Sequence, residues 1–130
     1  QIRESQSLCY AIGSGYFGSK GVITVNAGID FDKETAVKQE VLRQLQLCKD
    51  GAVTEEELIS AKQTLLSGLR SVYDSPGAME GYFSTAAITG QNRTPEEHIR
   101  QVEAVTLADV AEASSTISYH STFFLKGGAQ

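Results

Sequence analysis

The chain has 130 residues, 41% hydrophobic and 21% charged, with a formal net charge of −5. That composition is globular, and a chain of this length can bury about 65–70% of its unfolded surface around one core without staples. The acidic balance disfavours nucleic acid and anionic membrane as general partners, since both demand a basic face, though it leaves room for local basic spots.

No apolar run reaches the roughly 18 residues of a spanning helix, and no charged segment followed by an apolar one opens the chain as a signal peptide would. Cys9 and Cys48, the only cysteines, make a poor disulfide framework and read as buried, reduced thiols in a cytoplasmic protein. Asn92-Arg93-Thr94 matches the glycosylation acceptor pattern but reads as a loop leading into a helix cap.

Gln1-Ile2-Arg3-Glu4 carries no cap signal and reads as the last turn of a helix that begins earlier. The chain is therefore expected to be a fragment, residues 1–130 forming a single domain. Residues 8–17 alternate, with Leu8, Tyr10, Ile12 and Tyr16 on one face and Cys9, Ala11, Gly13 and Gly15 on the other. Period two with small residues on one side predicts a strand with something packed closely over it. Gly18-Ser19-Lys20-Gly21 is a turn, and Ile23, Val25, Ala27 and Ile29 resume the alternation, which predicts a hairpin.

A helix follows over 33–49, its apolar stripe formed by Val37, Val41, Leu45 and Cys48 and its end marked by Asp50-Gly51. Thr54 and Glu57 form a capping box that opens a helix with the stripe Leu58, Ala61, Leu65, Leu69 and Val72. Ser75-Pro76 starts another, carrying Met79, Tyr82, Phe83 and Ala86 and stopping near Gly90. Thr94-Pro95-Glu96-Glu97 caps a short helix, and Thr106 with Asp109 opens the helix 107–115. A strand is predicted at 119–126, around Phe123, Phe124 and Leu125. The order β-β-α-α-α-α-α-β predicts an α+β fold, a mostly antiparallel sheet with helices on one face.

Gly13-Ser14-Gly15-Tyr16-Phe17-Gly18 matches the dinucleotide fingerprint literally. The fingerprint needs a helix to open at its third glycine, because the helix N-terminus receives the pyrophosphate. A hairpin turn and the β-branched run Val22-Ile23-Thr24-Val25 follow instead, so the motif is set aside. His98 and His120 lack the spacing of a zinc site. His98, among Glu96, Glu97 and Arg100, reads as solvated; His120 reads as a cap or a solvent-facing residue. Glu55-Glu56-Glu57 and Glu96-Glu97 sit in first helical turns, where they complement the macrodipole. This leaves Arg3 and Tyr10, a guanidinium and a phenol seven positions apart. Together they could hold a peptide carbonyl and stabilise a developing oxyanion. On the residues alone the simpler reading is Arg3 as a solvated helix-end cation and Tyr10 as a core-edge tyrosine.

The run Arg3-Glu4-Ser5-Gln6-Ser7-Leu8-Cys9-Tyr10 resembles the Arg-Glu-x-x-x-Leu-x-Tyr motif of the insulinase/pitrilysin family of zinc peptidases, which includes the mitochondrial processing peptidases. The resemblance continues through Ala27-Gly28-Ile29-Asp30, Gly51 with Thr54, Glu57, Leu58 and Lys62, and Tyr73-Asp74-Ser75-Pro76. It implies a non-zinc module of a zinc-dependent metalloendopeptidase, because the zinc motif His-x-x-Glu-His is absent, and one truncated on its N-terminal side, because a family module would begin well before Gln1. By the same resemblance Arg3 and Tyr10 bind the backbone of an unfolded peptide and stabilise the tetrahedral intermediate. No cofactor is implied for this chain; zinc is expected in a partner domain or subunit, and the chain alone is expected to be inactive. Missing strands and a missing helix would leave apolar surface for self-association. The alternatives are a catalytically silent structural or assembly module of the same fold, or an unrelated α+β binding module.

Overall fold

A computed structural model describes residues 9–126. A hairpin comes first, β1 (Ala11–Phe17) and β2 (Val22–Gly28). A short 3-10 turn, Phe31–Lys33, leads into α1 (Glu34–Lys49). Then come α2 (Glu55–Arg70), a second 3-10 turn (Ser71–Asp74), α3 (Pro76–Thr89), α4 (Pro95–Ala104) and α5 (Leu107–Ser115). The fold is α+β, an antiparallel hairpin followed by helices. The described chain divides into two compact units, one of residues 9–50 with 113–126 and the other of residues 51–112.

In the first unit the register pairs Tyr16 with Ile23 and Ile12 with Ala27, so the apolar faces expected from the two alternating runs coincide. Gly21 closes the turn at φ 61°, where an L side chain would be strained. The dinucleotide reading fails here for the reason expected: Gly18 opens a hairpin turn, with Lys20 N–H donating to the Phe17 carbonyl at 3.0 Å. The hairpin's large side chains nevertheless stand exposed, Tyr16 at 70% and Phe17 at 54%.

Two expectations need correction in this unit. On α1, Val37 is buried as expected, but the buried face also holds Glu40, a carboxylate that no apolar-stripe argument selects. Arg43 and Gln44 make its burial tolerable: Arg43 grips it in a fork, Nε to Oε2 at 2.8 Å and Nη2 to Oε1 at 2.6 Å, and Gln44 donates at 2.8 Å. Those contacts hold the Glu40 carboxyl down at about 2. The closing strand is the second correction, since residues 119–126 join no ladder. Phe123 and Leu125 are exposed while Phe124 turns inward, edge-on to Phe31 at 6.4 Å, so the alternation of an extended chain is kept. Alternation specifies an extended segment; a ladder also needs a free strand edge in register. Side chains fasten the approach to this segment instead, with Lys49 Nζ donating to the Ile117 carbonyl at 2.6 Å and Lys38 lying 5.0 Å over the Tyr119 ring. Cys9 is buried, Cys48 half-buried, and both are free thiols.

In the second unit the local signals act as expected. Thr54 and Glu57 form a reciprocal capping box, as do Thr94 and Glu97, and Thr106 and Asp109 exchange the same pair of bonds. Pro76 takes the first position of α3, with Ser75 Oγ accepting from Ala78 N–H, and Gly90 ends the helix at φ 71°. Pro95, at the start of α4, is fully buried. α2 packs against α4, and Lys62 Nζ donates across to the Glu103 carbonyl at 2.9 Å.

The α2 stripe differs from the one expected. Leu58 and Val72 are buried as anticipated, but Leu66 replaces Leu65, which is 58% exposed. Half-buried Lys62 replaces exposed Ala61. The face therefore runs 58, 62, 66, 69, with the aliphatic stem of a lysine in the place assigned to alanine. His98 is also corrected: it is half-buried rather than solvated, and its partners are Tyr82 and Arg93.

Candidate functional site at the Tyr10 end of the hairpin

Tyr10 immediately precedes β1, and its N–H donates to the Gly28 carbonyl at 3.0 Å, fixing its backbone to the end of β2. Its ring lies against Gly28. A Cβ built on Gly28 would run into Tyr10 Cε2 and stand 2.9 Å from Cζ and 3.0 Å from Cδ2. The rest of the tyrosine is open, with the residue 69% exposed.

Beside it lies a cleft of about 270 Å³, lined by Tyr10, by residues 25–29 of β2 and its end, and by Phe123, Phe124 and Leu125. Among the described residues that line it there is no lysine, arginine, aspartate or glutamate, and the tyrosine hydroxyl is the one ionisable group they supply. A phenol can both donate and accept a hydrogen bond. With Asn26 on the same wall, it suits a ligand that brings hydrogen-bonding groups such as a carbonyl oxygen.

Of the two residues selected from sequence, the structure places Tyr10 on the rim of this cleft. Arg3 lies outside the described residues. Sequence reasoning passed over Gly28 as part of the site. The available signal was a glycine inside an alternating strand, which marks a close approach by another group.

Metal chemistry finds no support among the described residues, where no three histidine, cysteine or acidic side chains come together. His98 is committed elsewhere. Arg93 Nη2 donates to its Nε2 at 2.9 Å, which leaves the proton on Nδ1, 3.4 Å from the Tyr82 hydroxyl. Tyr82 in turn donates to the Arg93 carbonyl at 3.4 Å, and Arg93 Nη1 donates to Gln101 Oε1 at 2.6 Å. Burial and then the Arg93 charge push the imidazole below its usual value. His120 is exposed beside Ser121. The described residues do not assemble a zinc site. No helix among the described residues is long and apolar enough to cross a membrane.

The chain is 25% identical over 126 residues to the "Probable inactive metalloprotease YmfF" of Bacillus subtilis (strain 168), a match covering 97% of this chain and 30% of that protein. A crystal structure of a conserved protein from Enterococcus faecalis V583 superposes with a TM-score of 0.78 at 26% identity. That match covers 88% of this chain and 27% of the other. The chain thus spans less than a third of each of these relatives. The profile of the peptidase M16 inactive domain matches residues 1–65, half of the sequence, and the chain belongs to that family.

Proposed function

We propose that this chain is a non-zinc domain of a zinc-dependent endopeptidase, one that binds the backbone of an unfolded peptide and serves the oxygen of its scissile carbonyl. The observation that carries the reading is Tyr10, exposed at the rim of a cleft whose described lining carries no charge, and seated on the end of the hairpin. Its hydroxyl would donate to a substrate carbonyl, with Arg3 as the second donor. Such donors act most strongly on the negative oxygen that forms as the carbonyl is attacked, so they favour the transition state over the bound substrate. A metal, and the water it activates, belong in this reading to a partner domain or subunit.

Tyr10→Phe in the full-length protein, together with its zinc-bearing partner, tests the assignment. Turnover of an unfolded peptide should fall on the order of 10²-fold, as on loss of one oxyanion donor elsewhere, with affinity much less affected. Unchanged turnover would remove the catalytic role.

A second reading is a catalytically silent module of the same fold. The description of the Bacillus subtilis relative as probably inactive favours it. It predicts full-length protein that captures unfolded peptide without cleaving it at any zinc concentration.

A further inference from the structure

Three glycines lie within the hairpin strands, and they differ in what surrounds them. A Cβ at Gly13 would meet nothing within 4 Å, and one at Gly15 would make ordinary contacts, the nearest being Thr24 Oγ1 at 3.7 Å. At Gly28 it would collide with the Tyr10 ring. Backbone conformation does not call for glycine at this position, because the positive-φ glycines are Gly21, Gly51 and Gly90. What Gly28 supplies is the absence of a side chain, and Tyr10 uses that absence.

We infer that Gly28 is a positioning residue for Tyr10: its bare Cα is the seat of the phenol ring and thereby sets where the hydroxyl stands at the cleft. The inference rests on the proposed role of Tyr10 and extends it to the residue that aims it. The two residues are already coupled through the backbone, since Tyr10 N–H bonds the Gly28 carbonyl. That bond fixes Tyr10's main chain and leaves its side-chain torsions free. The flat contact with Gly28 removes part of that freedom, and preorganisation of this kind is what an oxyanion donor requires. A methyl group at position 28 would meet the far end of a flexible, exposed side chain, not a rigid wall. The ring would swing aside rather than strain the strand. The substitution should therefore displace the hydroxyl while leaving the fold intact.

The test has a structural arm and a functional arm. In the structural arm, proton NMR of the protein should find the Gly28 α-protons shifted upfield by the aromatic ring above them, and Tyr10→Leu should abolish the shift. Unshifted α-protons in the parent would overturn the inference whatever Tyr10 does in catalysis. In the functional arm, Gly28→Ala in the full-length protein with its zinc-bearing partner should lower kcat by the same order as Tyr10→Phe, about 10²-fold, with KM little changed. The double variant Tyr10→Phe/Gly28→Ala should lose no more than either single one, because both remove the same donor. Parental kcat in Gly28→Ala beside a damaged Tyr10→Phe would overturn the seating and leave the proposed function standing. A neutral Tyr10→Phe with an intact ring shift would instead sink the catalytic reading and leave the seat. Should Gly28→Ala fold poorly, Tyr10→Ala/Gly28→Ala relieves the collision and should fold as Tyr10→Ala does; continued misfolding in the double variant would count against the ring as the obstacle and overturn the inference.

Discussion

Leu65 and Leu66 are adjacent on α2, chemically identical, and opposite in environment: Leu65 is 58% exposed and Leu66 only 9%. Truncating each to alanine therefore isolates the orientation of the helix. At Leu66 the carbons beyond Cβ are worth about 0.8 kcal/mol each, about 2.4 kcal/mol in all, before any void is counted. An incompletely collapsed cavity raises the cost to about 3 kcal/mol. At Leu65 less than half of the side chain is shielded, so the same truncation costs about 1 kcal/mol and leaves no cavity. Alanine's slightly better helix propensity offsets little of either figure. Urea unfolding followed by far-ultraviolet circular dichroism reads the difference. With a slope of about 1.5 kcal/mol per molar for a protein of this size, the midpoint should drop by about 2 M for Leu66→Ala and about 0.7 M for Leu65→Ala. Equal losses, or a greater loss at Leu65, would refute this orientation of α2 and restore the stripe read from sequence.

Two further predictions concern acid. His98 sits below its ordinary value of 6.5, so the folded state resists the proton that the unfolded chain accepts. Stability from this group is complete above about pH 6.5 and declines as pH falls from there toward the folded value; His98→Gln should flatten that slope in urea midpoints measured between pH 8 and 5. Glu40 acts in the same direction over a lower range, its carboxyl held at about 2 against an ordinary 4.5. Its contribution is present above pH 4.5 and is lost as pH drops toward 2, and Glu40→Gln should remove that part of the acid limb while leaving the neutral-pH slope unchanged.

Everything that depends on a turn or two of chain was legible in the sequence. The capping pairs Thr54–Glu57, Thr94–Glu97 and Thr106–Asp109, the proline opening α3 and the left-handed glycines Gly51 and Gly90 set helix starts and stops through contacts within about four residues. The hairpin was legible for the same reason, since its turn fixes its register. Tyr10 was legible as a chemical type at a recognisable spacing, and the family follows from that ordered run of residues. Tertiary structure decided what the chain cannot specify locally. Leucines at 65 and 66 both fit a helical repeat, so only packing chose between them. Glu40 could be buried because Arg43 and Gln44 turn toward it, and His98 acquired partners from α3 and the loop before α4. Residues 119–126 carry the alternation of a strand, yet pairing requires an edge that their own sequence does not provide. The seat beneath Tyr10 joins residues brought together by strand pairing and by ring placement: a glycine records that room was needed, and the fold determines what fills it.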